Sequence, residues 1–218
     1  MSTQPVPTTE RRPANRVLPQ RPKQAAVVIL GLTALLYLIE LVNAVGFHGT
    51  LDRFGIIPRQ LSGLDGVVWA PLLHAGWQHL FSNTVPVLLF GFLALAAGLG
   101  PWISTTVLIW LISGLGVWLV GGDSVTVGAS GIAFGWLMFL LVRGIFNRSL
   151  AQLAVAMVLL FYWGTTLFGI LPGNPLISWQ AHLFGALAGV LAAWLTAKAS
   201  GPRQSKTTTP KLPGNLVA

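Results

Sequence analysis

The chain contains no cysteine and few charged residues. Cysteine is absent from all 218 residues, which excludes disulfide bonds, thiol nucleophiles and cysteine-ligated metals. Only 8% of the residues are charged, whereas 54% are hydrophobic and the mean hydropathy is +0.72. These values lie outside the range of soluble globular proteins, so the composition predicts a polytopic membrane protein.

Long stretches without charge predict six membrane spans. The stretches 66–122 and 149–197 contain no charged residue, and each is long enough for two spans of about 20 residues. Each is interrupted by glycine and proline, at 98–101 and 171–175, where a helix should end. An all-α fold of six transmembrane helices is completed by two further spans, near 25–46 and 128–147.

The basic residues predict the orientation. Lysine and arginine concentrate in the leader, at Arg143 and Arg148, and in the tail, whereas only Arg53 and Arg59 lie on the opposite side of the spans. The positive-inside rule therefore places both termini in the cytoplasm. We interpret the net charge of +8 as orientation signals with some affinity for anionic lipid, and expect no nucleic-acid partner.

The same pattern predicts three regions. We expect a disordered basic cytoplasmic leader over 1–24, a membrane domain over 25–199, and a disordered cytoplasmic tail over 200–218. The first apolar segment is too long for the core of a signal peptide, so we interpret it as a retained helix.

Polar residues mark the external ends of three spans. With the amino terminus inside, the second, fourth and sixth spans enter from the external face, and their first turns carry His79 with Asn83, Ser130, and His182. Three helices thus deliver polar groups to one depth. This predicts a water-filled cavity that opens to the outside and is surrounded by protein.

The fourth span is short. Only 14 uncharged residues run from Gly128 to Leu141, or roughly 21 Å of helix, against a hydrocarbon thickness of about 30 Å. If Arg143 and Arg148 reach the cytoplasmic interface, Ser130 begins its helix on the order of 10 Å below the external surface. We therefore expect the preceding segment, 121–127, to dip inward as a shielded loop.

The polar set suggests hydrolysis by a serine nucleophile and a histidine base. Small residues beside each would let the two helices pack closely enough for a hydrogen bond of 2.6–3.2 Å between Ser130 and His182. Asn83 and His79 lie four residues apart on one helical face, and with the backbone N–H of Ser130 they are candidate oxyanion donors. The candidate helix-packing residues are Gly128, Gly131, Gly135, Gly185 and Gly189.

Other chemistries lack support in the sequence. There is no His-Glu-x-x-His motif for zinc, and Asp52, Asp65 and Asp123 fall in external loops rather than forming an aspartyl dyad within the membrane. We expect neither a metal nor another cofactor. We interpret His74 as ordering the loop before the second span, and Trp163 with Phe168 could gate lateral entry.

Three motifs resemble the rhomboid family of intramembrane serine proteases over roughly 25–199. The sequence 79–83 is similar to the family's His-x-x-x-Asn motif, 128–131 to its Gly-x-Ser-x motif, and 181–185 with Gly189 to its sixth-helix signature. The segments 53–59 and 70–74 are similar to the first loop of bacterial, particularly actinobacterial, members.

The resemblance implies a minimal six-helix bundle with a short central fourth helix, located in a bacterial plasma membrane. It implies a Ser130–His182 dyad that cleaves transmembrane protein substrates near their external ends through an acyl-enzyme. Phe134 occupies a position where family members frequently have a tyrosine. A phenylalanine there would still stack on His182, but it could not make the hydroxyl contact of a tyrosine. The Trp-Arg pair of many first loops is not evident here.

Two alternatives remain open at this stage. A catalytically inactive rhomboid-like protein would bind membrane helices without cleaving them. A small transporter or channel would use the polar cavity for solute, and would carry polar residues into the cytoplasmic halves of its helices. Those halves are apolar here, for example at 87–90 and 190–194, which disfavours the transporter.

Overall fold

The computed structural model describes residues 15–174 and 177–200, and the described chain forms six long helices. Each is long and apolar enough to cross a membrane, and the second and fifth spans include the 3-10 segments Leu95–Ala97 and Gly164–Ile170, which extend their helices. The predicted all-α fold with six spans is confirmed. The helices are α1 Pro22–Gly46, α2 Trp77–Ala94, α3 Leu99–Val120, α4 Ser130–Asn147, α5 Leu150–Trp163 and α6 Trp179–Ala199.

Local sequence explains where these helices begin and end. α1 starts with Pro22, whose missing N–H costs nothing in a first turn, so it begins three residues before the expected 25. Gly98 has a φ of +103° and separates α2 from α3, as the glycine-proline break predicts. Most of the expected leader, 1–14, and most of the expected tail, 201–218, lie outside the described residues.

The helices alternate in direction, so their connections lie at two ends of the bundle. We call the upper end the one that holds the loops 47–76 and 121–129, the segment 164–174 and residues 177–178, which contact one another or the adjoining first turns of α4 and α6. The lower end holds 95–98 and 148–149, together with the residues that precede α1.

The fourth helix is the centre of the bundle. α4 forms the shortest and most buried of the six spans, and its contact with α6 is the most extensive between helices. A Cβ atom on Gly185 would lie 2.1 Å from the carbonyl oxygen of Gly131, and one on Gly189 would lie 2.1 Å from that of Gly135. The two backbones therefore touch, as in small-residue helix packing in membranes.

The loop 47–76 packs across the upper end. Ile56 and Thr126 exchange two backbone hydrogen bonds of 2.9 and 3.0 Å, which tie this loop to the segment before α4. Arg59 donates to the carbonyl oxygen of Gly121 and to the carboxylate of Asp123. Although the Trp-Arg pair is absent, the loop is thus held by other contacts.

Arg143 does not lie at a lipid or water interface. Its charge predicts a position near the cytoplasmic surface as an orientation signal, but the residue is only 2% exposed. It lies one turn before the end of α4, on the face that packs within the bundle, whereas Arg148 after the helix end is exposed.

Replacing Gly185 by alanine should destabilise the bundle. The added methyl group would overlap the Gly131 carbonyl, and overpacking of this kind costs about 1–3 kcal/mol. We expect a lower thermal unfolding midpoint for purified Gly185→Ala in detergent. The matched control is Gly31→Ala in α1, where a Cβ meets no atom within 4 Å. Equal midpoints for the two variants would contradict the packing argument.

Candidate active site

Ser130 and His182 meet where α4 and α6 begin. The Oγ atom of Ser130 lies 2.9 Å from the Nε2 atom of His182, within hydrogen-bonding distance. Ser130 is the first residue of α4, and His182 lies in the first turn of α6. Gly131 follows Ser130 directly, and its carbonyl oxygen meets Gly185, three residues after His182. The close packing of α4 on α6 therefore brings the hydroxyl of Ser130 to the imidazole of His182.

A backbone carbonyl orients the imidazole. The Nδ1 atom of His182 lies 3.0 Å from the carbonyl oxygen of Gly169, in the 3-10 segment that extends α5. Because a carbonyl oxygen can only accept, Nδ1 must carry the proton in the neutral ring, and Nε2 is free to accept from the hydroxyl of Ser130. Sequence reasoning did not identify Gly169, since a backbone acceptor leaves no side-chain signal.

Phe134 fixes the plane of the same ring. The rings of Phe134 and His182 are stacked, with centroids 3.9 Å apart and planes 8° from parallel. A Cβ atom on Gly169 would lie 3.0 Å from Phe134 and 3.1 Å from His182, so the absent side chain lets the carbonyl approach. The imidazole is therefore held by an aromatic face, a carbonyl and the serine, with no hydrogen-bonded carboxylate in the described chain.

The dyad faces a cavity of about 530 Å³. Its wall is polar near the upper end and apolar below, where Phe90 and Leu137 contribute. An adjoining polar cavity of about 540 Å³ shares His79 and Ser178 with it and is lined by the upper loops. Water could reach the serine by this route. Residues of α2, α4, α6 and the 3-10 segment after α5 line the first cavity, and they include Ser82, Asn83, Phe90, Ser130, Thr166 and His182.

Asn83 lines this cavity from α2. It is 4% exposed, and its Nδ2 atom donates to the carbonyl oxygen of His79 at 3.0 Å, one turn earlier. One N–H of the side-chain amide is thus used to hold the rotamer, and a primary amide has a second. The N–H of Ser130 lies in the first turn of α4, where helical N–H groups have no partner within the helix.

His79 contacts the turn that precedes the serine. Its Nδ1 accepts from the backbone N–H of Ala75 at 3.3 Å, so Nε2 carries the proton in the neutral ring. A Cβ on Gly128 would lie 2.8 Å from this Nε2, and Gly128 has a φ of +118°. Gly128 thus lies in the loop against His79 and not between packed helices, which differs from the helix-packing role expected from the sequence.

His74 connects the first loop to the residue before the serine. It is 1% exposed, and its Nε2 accepts from the backbone N–H of Ala129 at 3.4 Å. Its ring also lies edge-on to His79, with centroids 5.2 Å apart. Burial, followed by the neighbouring charge of His79, lowers the pKa of His74 to about 4, so it stays a neutral acceptor at physiological pH.

The cavity is separated from the lipid-facing surface between α2 and α5 by aromatic packing. Trp163 meets Phe90 edge to face, with centroids 5.1 Å apart. Phe168, the other residue considered for lateral entry, is 70% exposed. Within residues 15–174 and 177–200, no group of three or more histidine, aspartate or glutamate side chains could hold a metal ion.

Comparison with known proteins matches residues 62–199 to the Rhomboid domain. An uncharacterised protein of Mycobacterium tuberculosis is 44% identical over 202 residues, which cover 87% of this chain and 83% of that protein. "Putative rhomboid protease YdcA" of Bacillus subtilis is 31% identical over 77% of this chain and 85% of its own length. "Rhomboid-like protein 11, chloroplastic" of Arabidopsis thaliana is 31% identical over 60% and 52% respectively.

The neutral state of His74 should make stability depend on pH. Its pKa is lowered from 6.5 to about 4, so the unfolded chain binds a proton first as the pH falls. The stabilisation is complete above pH 6.5 and is lost toward pH 4, with about 2 kcal/mol lost between pH 7.5 and 5.

We expect the thermal unfolding midpoint to fall between pH 7.5 and 5 less in His74→Gln than in the wild type. Glutamine does not titrate but offers an acceptor to the Ala129 N–H. The difference between the two proteins isolates His74 from the other histidines. Parallel pH profiles would contradict the assignment.

Proposed function

The chain belongs to the rhomboid family, and we propose that it is an intramembrane serine endopeptidase that uses a Ser130–His182 dyad. The family includes membrane-embedded serine proteases. The observation that carries the proposal is the 2.9 Å contact between Ser130 Oγ and His182 Nε2, together with the Gly169 carbonyl that selects the required tautomer.

In the proposed mechanism, His182 Nε2 removes the hydroxyl proton as Ser130 Oγ attacks the carbonyl carbon of the scissile peptide. The tetrahedral intermediate collapses when the imidazolium returns that proton to the leaving amine. The carbonyl carbon then remains bonded to Ser130 as an acyl-enzyme. A water molecule, deprotonated by the same imidazole, hydrolyses this ester and regenerates the serine.

The same geometry supports an orienting role for the Gly169 carbonyl. In a Ser-His-Asp triad a carboxylate holds the imidazole tautomer and stabilises the imidazolium. Here a carbonyl dipole and the face of Phe134 occupy those positions around His182. We expect the positive charge to be less stabilised than beside a carboxylate, so the dyad should be a slower hydrolase.

Three donors can stabilise the developing oxyanion. We assign this role to the second amide N–H of Asn83, to the Nε2–H of His79 and to the backbone N–H of Ser130. All three residues line the cavity that contains the dyad, and the first turn of a helix adds a favourable dipole.

Substrates should be transmembrane segments of other proteins, since the family acts on such substrates. A membrane helix hides its carbonyls in i to i−4 hydrogen bonds, so a segment must unwind before Ser130 can attack. The cavity of about 530 Å³ has room for little more than one turn of a helix about 10 Å across, so it suits a short unwound stretch better than a continuous membrane helix. This favours cleavage near the end of a membrane helix.

We also propose that both termini are cytoplasmic and that the cavity opens to the external face of a bacterial plasma membrane. The basic residues Arg16, Arg21, Lys23, Arg148 and Lys198 lie toward the lower end of the bundle. The positive-inside rule then assigns the lower end to the cytoplasm and the Ser130 end to the outside.

Activity-based labelling tests the nucleophile. Purified wild type in lipid should react with a fluorophosphonate probe, whereas Ser130→Ala and His182→Ala should not, because the probe needs an activated hydroxyl. Ser82→Ala is the matched control, since this serine also lines the cavity but donates to the His79 carbonyl. It should label normally. A wild type that does not label would favour the inactive, helix-binding alternative, and labelling in all variants would place the reactive group elsewhere.

The oxyanion role of Asn83 has a separate kinetic test. Asn83→Ala should lower kcat for a transmembrane substrate by about 10²–10³ with little change in KM, because the hydrogen bond forms only in the transition state. Thr84→Val, at the next position of α2, removes a hydroxyl that bonds within its helix and to Tyr37, and should leave kcat within a few-fold. A loss of kcat equal in the two variants would indicate a structural role.

A further inference from the structure

The segment that leads from α3 to α4 contains two consecutive glycines. Gly121 and Gly122 follow the end of α3, and glycine has more backbone freedom than any other residue. A Cβ on Gly122 would meet no atom within 4 Å, so packing does not restrict this residue. The order of the segment therefore depends on contacts at its two ends.

Backbone bonds hold the end of the segment that is nearer to α4. Thr126 exchanges hydrogen bonds of 2.9 and 3.0 Å with Ile56. A Cβ on Gly55 would lie 2.6 Å from the carbonyl oxygen of Thr126, so the first loop packs directly on this part of the segment. Thr126 is thus fixed without any side-chain donor.

Arg59 holds the start of the segment, on both sides of Gly122. Its Nη1 atom donates to the carbonyl oxygen of Gly121, and its Nη2 atom donates to the carboxylate of Asp123 at 3.1 Å. One planar guanidinium thus binds the residues before and after Gly122. Gly121 is buried, whereas the side chain of Asp123 is fully exposed, so we expect the bond to the carbonyl oxygen to contribute more.

The backbone of Arg59 is fixed against α3. Its N–H donates to the carbonyl oxygen of Trp118 at 2.8 Å, and the indole N–H of Trp118 donates to the carbonyl oxygen of Gln60 at 2.9 Å. Arg59 has a φ of +60°, a left-handed conformation that is costly for a residue with a Cβ atom. Strain of this kind at a residue other than glycine points to a role for the side chain.

The segment that Arg59 holds lines the polar cavity beside the dyad. Gly122 and residues 124–127 form one wall of this cavity of about 540 Å³, which shares lining residues with the cavity of the dyad. The dyad cavity has room for little more than one helical turn, so a longer unwound substrate segment would extend into the polar cavity. The contact between Ser130 and His182, in contrast, depends on the packing of α4 on α6.

We propose that Arg59 is a positioning residue for substrate binding, because it fixes the chain on both sides of Gly122 and so keeps this wall of the polar cavity in one shape. The inference rests on the proposed protease function. Without the guanidinium the glycine pair would be free to move, and substrate binding would have to order it at a cost in conformational entropy. That cost would raise KM, whereas the dyad would react as before.

Kinetics with a transmembrane substrate test the proposal. Arg59→Met should raise KM about five- to tenfold and leave kcat within about twofold, and it should react with a fluorophosphonate probe at the wild-type rate, because the small probe needs only the dyad. Arg53→Met, which removes an exposed charge from the same loop, should match the wild type. An unchanged KM in Arg59→Met, or an equal change in Arg53→Met, would overturn the proposal. A wild type that does not label would instead contradict the protease function on which the inference rests.

A double substitution tests whether the freedom of the glycine pair is the cause. Gly122→Ala restricts the backbone, and neither a positive φ nor a close contact opposes the added methyl group. It should change the KM of the wild type little, but it should lower that of Arg59→Met by at least about threefold. Gly31→Ala, at an equally open position in α1, is the matched control and should not lower KM. Additive effects of Gly122→Ala and Arg59→Met, or equal rescue by Gly31→Ala, would contradict the proposal.

A second variant covers the case in which Arg59→Met folds poorly. Arg59→Gly removes the same guanidinium but suits the left-handed backbone, so the thermal unfolding midpoint should stay close to that of the wild type. Its KM should still rise about five- to tenfold. A lower midpoint with an unchanged KM would show that Arg59 serves stability alone, and would overturn its role in substrate binding.

Discussion

The backbone contact between α4 and α6 is the constraint on which the candidate active site depends. Gly131 and Gly135 meet Gly185 and Gly189 with no side chain between them, so the two helices are closer than any pair with Cβ atoms at the contact could be. The serine and the histidine lie at the start of these helices: Ser130 directly precedes Gly131, and His182 lies three residues before Gly185. A small change in that separation would break the 2.9 Å contact between Ser130 and His182. In a bilayer this packing relies on van der Waals contact, because lipid provides no hydrophobic force between helices.

The groups around the dyad come from parts of the chain that are less regular than the helices. The Gly169 carbonyl lies in a 3-10 segment, where it is available to accept from His182. The turn before Ser130 is held by backbone bonds from Ile56 to Thr126, and by the acceptor that His74 offers to Ala129. Irregular backbone at this depth is tolerated because protein surrounds it and a polar cavity adjoins it. The helices therefore position Ser130 and His182, and the less regular segments supply the groups that orient them.

Polar side chains have different surroundings at the two ends of the bundle. At the upper end, histidines, asparagine and serine bond to one another or to backbone atoms around a wide cavity. At the lower end, the guanidinium of Arg143 is enclosed without any such partner in the described chain. The first arrangement suits chemistry that needs water.

The sequence by itself determined the six spans, the breaks at Gly98 and after Ile170, and the family, because hydrophobic length, glycine-proline breaks and short motifs are local signals. It also predicted that Ser130, His182, Asn83 and His79 share one end of the bundle, which the geometry reproduces. Only the tertiary structure decided that Gly169 orients the imidazole, that Gly128 contacts His79, and that Arg143 is buried. These features depend on contacts of backbone atoms and on which face of a helix packs against its neighbours. The local amino-acid sequence reveals neither the backbone contacts nor the packed face. Sequence spacing places a residue along the chain, whereas burial and hydrogen bonding are set by segments distant in that chain.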